Sequence, residues 1–229
     1  MDIVEVLPQL HMLRFEVGQA YLWCEREGIT LIDSGPAGSA PAIAEAIRAV
    51  GREPAEVRRV VLTHGHDGHT GGAVEAASWG GGEILAGWGE AAVLRGEQPM
   101  PAPVLADWER ELMASIPLPP PVGALRVDRE LVEGDTLEFG GGAQVLEVPG
   151  HTGGSIALHL PGPRVLFTGD TIANVQNRTM LGVFNTDPDR AAQSLERQSG
   201  LDVATACFGH GEPILTGAAE RLRRAIRQK

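Results

Sequence analysis

Three histidines fall within six residues in the stretch Thr63-His64-Gly65-His66-Asp67-Gly68-His69-Thr70-Gly71-Gly72. His64 and His66 are two apart, so an extended backbone turns both imidazoles to one side. The flanking glycines let the chain fold tightly enough for His69 to return to the same place. Neutral imidazole is the commonest side-chain ligand of Zn²⁺ and also suits Fe²⁺. Three further ligand-type residues follow apolar runs, each beside a glycine. They are His151 in Val148-Pro149-Gly150-His151-Thr152, Asp170 in Phe167-Thr168-Gly169-Asp170-Thr171, and His210 in Phe208-Gly209-His210-Gly211. Strand ends on one edge of a sheet converge, so the pattern points to a metal centre assembled from strand ends.

The elements that must carry these residues are legible in outline. Gln19 to Cys24, Gly28 to Ile32 and Arg59 to Thr63 are apolar or β-branched and read as strands. Ser39 is placed to cap a helix with Pro41 in its first turn and Gly51 at its end. The His cluster reads as a loop, followed by a short helix over Gly71 to Ala77 and a strand over Glu83 to Leu85. Trp88 and Trp108 lie in helical stretches, where packing on a helix face is the expected role for them and for Met113. The prolines between 117 and 121 exclude helix and central strand. Strands are expected over Arg126 to Val132, Leu137 to Phe139, Ala143 to Val148, Ser155 to Leu160, Val165 to Thr168 and Val203 to Phe208. Asp187-Pro188 opens a helix that Gly200 closes, and Thr216 caps a last one. Ile172 to Asn185 reads as a long loop that shapes substrate entry. Cys207 reads as a small core residue. Strand runs this long fit two sheets covered by helices better than one parallel sheet.

Composition bounds the function. The 229 residues are 43% apolar and 21% charged, and their 30 glycines and 16 prolines show no period, so an ordinary globular chain is expected. A single domain over 1–229 is the reading. Thirty acidic against 19 basic residues give a formal charge of −11, which disfavours a nucleic-acid partner. Two cysteines make no disulfide framework, no apolar run reaches a membrane span, and the start Met1-Asp2-Ile3-Val4-Glu5 lacks a basic leader. The expectation is a cytoplasmic protein acting on a small molecule, off the membrane, with a homo-oligomer left open.

With these residues in view, the chain resembles the metallo-β-lactamase superfamily. The resemblance rests on the Asp33-Ser34-Gly35 turn, the His cluster, His151, Asp170 and His210, in the family's order over nearly the whole chain. It implies an α+β fold, a four-layer αββα sandwich. It also implies that His64, His66 and His151 hold a first metal, that Asp170 bridges, and that His69 and His210 serve a second ion. Asp33 is expected to orient the ligand loop by accepting a hydrogen bond. The departure is Gly68, where the family pattern has Asp. The nearest carboxylate, Asp67, is one residue early, a displacement of about 3.8 Å with a different side-chain direction. A weakened second site is therefore expected, with Zn²⁺ the leading cofactor and Fe²⁺ the alternative. Asp67 is assigned a catalytic role, taking over part of the vacant one.

The resemblance implies a metal-dependent hydrolase of a small-molecule ester, thioester, lactone or amide, using metal-activated water. The alternatives are a mononuclear iron oxidoreductase of the persulfide dioxygenase type and a metal-binding member that has lost catalysis. The chain ends nineteen residues past His210. A glutathione-binding helical domain is thus not expected, which disfavours a glutathione thioester, and no room is expected for a nuclease accessory domain.

Overall fold

The structure, a computed structural model, describes residues 1–227. The chain forms two compact units, residues 1–99 with 118–131, and residues 100–117 with 132 onward.

The first unit is a seven-stranded sheet in sequence order. Strands β1 (Asp2–Leu7), β2 (Leu10–Arg14), β3 (Gln19–Glu25) and β4 (Gly28–Ile32) run antiparallel. Strands β5 (Val57–Leu62), β6 (Glu83–Gly87) and β7 (Arg129–Leu131) then add in parallel. Register places Leu22, Leu31, Val60 and Ile84 side by side across four strands. All four are fully buried, in one cluster with Ile43 and Ile47 of helix α1 (Ala40–Ala49). Burial of each such side chain contributes roughly 1.5–3 kcal/mol before entropy is counted. Helices α2 (Asp67–Thr70), α3 (Ala73–Gly80) and α4 (Trp88–Leu94) complete the unit.

The second unit begins with α5 (Asp107–Ser115). Its larger sheet has the order β14-β11-β10-β9-β8, from β8 (Thr136–Leu137), β9 (Ala143–Glu147), β10 (Ile156–Leu160), β11 (Val165–Phe167) and β14 (Thr205–Cys207). Strands β12 (Ile172–Val175) and β13 (Arg178–Leu181) form a separate hairpin. Helices α6 (Pro188–Ser199) and α7 (Ala218–Ile226) share a core with Val148, Leu166 and Ala206 through Leu195 and Leu222. No helix among the described residues is long and apolar enough to cross a membrane.

Several local expectations change. The β1–β2 hairpin was not legible, because residues 2–14 mix charged and apolar residues without clean alternation. The second half of the His cluster is the helical turn α2, not loop. Residues 172–185 are largely a hairpin, turned at Gln176 and Asn177, whose φ values of +50° and +64° match a two-residue primed turn. Ser39 stands before α1, but its hydroxyl donates to the Pro36 carbonyl (2.6 Å) and caps nothing. Gly217, not Thr216, is the residue before α7. The strand expected over Arg126 to Val132 is only Arg129–Leu131. Trp88 and Trp108 are 67% and 52% exposed, so the expected packing on a helix face fails for both. Asp187 does cap α6, accepting the Arg190 N–H at 3.0 Å.

Candidate metal-binding site

In the first unit the parallel strand β5 delivers Thr63 and His64 beyond its end, and β4 delivers Asp33. Asp33 adopts φ +54° and turns its buried carboxylate toward β5. Its Oδ1 accepts the Thr63 N–H (2.8 Å) and its Oδ2 accepts the Thr63 hydroxyl (2.8 Å). Thr63 Oγ1 also lies 3.0 Å from His64 Nδ1. An ionised carboxylate only accepts, so the single hydroxyl proton of Thr63 is committed to Asp33. With Thr63 Oγ1 accepting from His64 Nδ1–H, the lone pair of His64 lies on Nε2, the atom that would take a metal.

The neighbouring rings follow from the same stitching. His64 and His66 rings meet edge to face, centroids 4.8 Å apart, and His64 and His69 rings lie 4.4 Å apart. His69 Nδ1 is 3.4 Å from Asp33 Oδ2. Asp33, His64 and His69 thus each offer a donor atom within 4.8 Å of the other two. The His69 carbonyl accepts both the N–H and the hydroxyl of Ser34, at 2.6 and 3.0 Å. Gly71 comes so close to Pro36 that an added Cβ would sit 2.1 Å from a backbone carbon, so the turn admits only glycine. Buried Glu90 accepts the Gly65 N–H at 2.8 Å and holds the strap between His64 and His66.

Gly68 is buried within α2. A Cβ there would lie 3.3 Å from Val17 Cγ1 and 4.0 Å from Pro119 Cγ, so a small shift of Val17 makes room for that atom. Asp67 does not stand as a solvated loop carboxylate. It opens α2, and its Oδ1 accepts the Val122 N–H at 2.7 Å, tying the cluster to the proline-rich segment.

The second unit presents His151, Asp170 and His210. His151 follows β9 and is 2% exposed. Its carbonyl accepts the Thr186 N–H (3.1 Å), while Gly150 at φ +131° packs where a Cβ would meet Ala191 N at 2.0 Å. Asp170 lies in a short 3₁₀ turn, Gly169–Thr171, after β11, and the Gly169 carbonyl accepts the Gly209 N–H (3.0 Å) from the turn after β14. Asp170 Oδ2 is 3.6 Å from His151 Nε2 and 3.1 Å from His210 Nε2. Two ligands on one tetrahedral zinc, each about 2.0–2.1 Å from it, are separated by about 3.3 Å. The observed spacings bracket that value, and imidazole with carboxylate is a donor set suited to Zn²⁺ or Fe²⁺. The group implied by the sequence therefore fits the residues present. Cys207 is fully buried and burial pushes its thiol up, so it offers no thiolate; it is the core residue expected.

Within the first unit the structure brings Asp33, His64, His66 and His69 together, and within the second His151, Asp170 and His210. Thr63 and Glu90 were missed. Thr63 carries only the signal of a β-branched strand end, and Glu90, twenty-five positions from Gly65 on α4, carries none.

The fold is that of solved metallo-β-lactamases. A metallo-β-lactamase from Cronobacter sakazakii matches all of this chain and 93% of its own at 21% identity, TM-score 0.75. The subclass B3 metallo-β-lactamase BJP-1 of Bradyrhizobium japonicum matches all of this chain and 90% of its own at 20% identity, TM-score 0.74. These likenesses establish the αββα class expected from the sequence. The model of the metallo-beta-lactamase superfamily matches residues 13–210, and the chain belongs to that superfamily. The probable metallo-hydrolase YflN of Bacillus subtilis is 27% identical over 237 residues, 92% of this chain and 86% of that protein. A hydroxyacylglutathione hydrolase of Cereibacter sphaeroides is 31% identical over 154 residues, 66% of this chain and 48% of that protein. The chain thus spans about half the length of that relative.

Proposed function

We propose that this protein is a metal-dependent hydrolase of a small-molecule carbonyl substrate, an ester, thioester, lactone or amide. The observation that carries the reading is the chain from Asp33 through Thr63 to His64, which sets one imidazole in the ligating tautomer. The Asp170 carboxylate facing two imidazole nitrogens supports it from the second unit. Family membership supports assigning His64, His66 and His151 to one ion, Asp170 as shared, and His69 and His210 to a second. Zn²⁺ is the leading ion in this reading, and the same donors suit Fe²⁺. The relatives named as hydroxyacylglutathione hydrolases favour a thioester among the carbonyl substrates.

A bound divalent ion would supply Lewis acidity and an activated water at neutral pH. This chain's own residues do the rest. Asp33 keeps the proton of His64 on Nδ1, through Thr63. Glu90 and Ser34 fix the backbone of the histidine strap. Asp67, with Oδ1 held by Val122, keeps Oδ2 to accept and pass on a proton during turnover, part of the role left vacant by Gly68.

Metal analysis of the purified and reconstituted protein, with an ester, thioester and lactone panel, tests the proposal. Zinc retention that falls in His64→Ala and in His151→Ala, with hydrolysis lost in parallel, is the expected outcome. Iron with O₂ uptake would replace the hydrolase by an oxidoreductase. Failure to retain any transition ion would end the reading.

A further inference from the structure

Apart from the donor groups, the second unit contains two adjoining cavities of opposite character. The first, about 510 Å³, is walled by Val104, Leu105, Trp108, Met180, Leu181 and Leu195. Its acidic lining residue, Glu109, is buried with both oxygens occupied by backbone: Oε1 accepts the Phe184 N–H (2.9 Å) and Oε2 the Ala106 N–H (2.8 Å). The second, about 400 Å³, is lined by Arg178, Arg221 and Arg224 with Asn177 and Thr179. Arg178, Thr179 and Ala225 line both, so the two cavities adjoin at the β13–α7 contact.

The charge there runs against the rest of the chain. The formal charge is −11, yet among the described residues no carboxylate lines the second cavity. Arg178 makes no ion pair among the described residues. Arg221 is held by neutral acceptors, Asn174 Oδ1 at 2.9 Å and the Asn177 carbonyl at 2.8 Å, so its charge is uncompensated. Arg224 alone has a carboxylate, Glu220 at 2.5 Å. On the apolar side Trp108 and Val104 are 52% and 60% exposed, an arrangement whose cost is removed when an apolar group covers them. A mostly apolar cavity of 300–1,000 Å³ with a few placed polar groups is the usual form of a small-molecule site.

We propose that this pair of cavities binds a single-chain amphipathic anion. The alkyl chain lies against Trp108, Val104 and Met180, and the carboxylate, sulfate or phosphate head meets the guanidinium groups of Arg178 and Arg221. Guanidinium is the side chain best matched to such heads, through paired N–H donors. The site does not depend on the metal reading, since no metal-ligand candidate lines either cavity.

Calorimetric titration of the whole protein with sodium decanoate, below its micelle concentration, tests this. Saturable one-to-one binding is expected, with inorganic phosphate and decanol each binding at least about tenfold more weakly, since each lacks one half of the contact. Arg178→Glu and Val104→Asp, both at exposed positions, should each weaken decanoate by about tenfold or more. Circular dichroism of both variants should match the parent. Non-saturable uptake, decanoate binding unchanged in both variants, or phosphate binding as tightly as decanoate would overturn the proposal. So would preferential sedimentation with phosphatidylglycerol vesicles, or a dimer that Val104→Asp dissociates, because each gives the face a different occupant.

Discussion

Asp33 and His64 are joined by one hydroxyl: Thr63 Oγ1 donates to Asp33 Oδ2 at 2.8 Å and accepts from His64 Nδ1 at 3.0 Å. The proton order runs in one direction only, because the carboxylate cannot donate. The histidine tautomer is therefore decided by a residue on the neighbouring strand rather than by the histidine's own surroundings.

Thr63→Val keeps the shape of the strand end and removes this relay. Metal affinity, measured by competition with a chromophoric chelator, is expected to fall by about 10–100-fold, the usual cost of losing a partner behind a metal-bound histidine. Thr63→Ser should restore most of it. Equal affinity in all three proteins would show that the tautomer is set elsewhere.

Gly68→Asp puts the family's carboxylate back where Val17 has only to yield a few tenths of an ångström. The expected result is a rise in bound zinc per chain by elemental analysis, with little change in Tm. An unchanged metal content would show that a carboxylate at position 68 creates no further ion site.

The observed Val122 contact of Asp67 and its proposed proton transfer can be separated. Asp67→Asn keeps an Oδ1 acceptor for the Val122 N–H, so proteolysis of the segment around residue 120 should be unaltered while kcat falls. Asp67→Ala should do both, accelerating cleavage there as the segment is released. If Asp67→Asn turns over like the parent, the carboxylate serves only the segment.

His159 lies on β10, 8% exposed, and burial lowers its pKa below the usual 6.5, against a smaller opposing effect of Asp202. The unfolded chain then binds more protons than the folded one below pH 6.5, so ν_U exceeds ν_N and stability rises with pH there. The contribution is intact above about pH 6.5 and is lost as the pH falls toward the folded value. Urea unfolding of His159→Gln should show a weaker loss of stability between pH 7 and 5 than the parent. A parallel loss in both proteins would place the acid sensitivity on other groups.

Much of this was written in local chemistry. The pairing of His64 and His66, the glycines around them and the strand before them are short-range features, and residue spacing expresses short-range geometry directly. So are the Asp187 cap with Pro188, the buried Cys207 and the strands Gln19 to Cys24 and Gly28 to Ile32, each defined by neighbours along the chain. The αββα class was what the family resemblance implied, and it is upheld by the likeness to solved structures.

Other features depended on contacts between distant segments. The side chain of Thr63 gains its meaning from Asp33 on β4, Gly65 is held by Glu90 on α4, and Asp67 is spent partly on Val122. The hairpin at 172–181 hid as a loop because its turn residues, Gln176 and Asn177, adopt a left-handed conformation that glutamine gives no reason to expect. Trp108 looked like packing because a half-buried helix face and a cavity wall have the same periodicity in sequence; only its neighbours from β13 and α6 distinguish them. The amino-acid order alone determined which donors this protein owns and on which strands they end. The folded chain decided their protonation, their rigidity and what lies beside them, because hydrogen-bond partners and burial arise between segments that sequence proximity does not join.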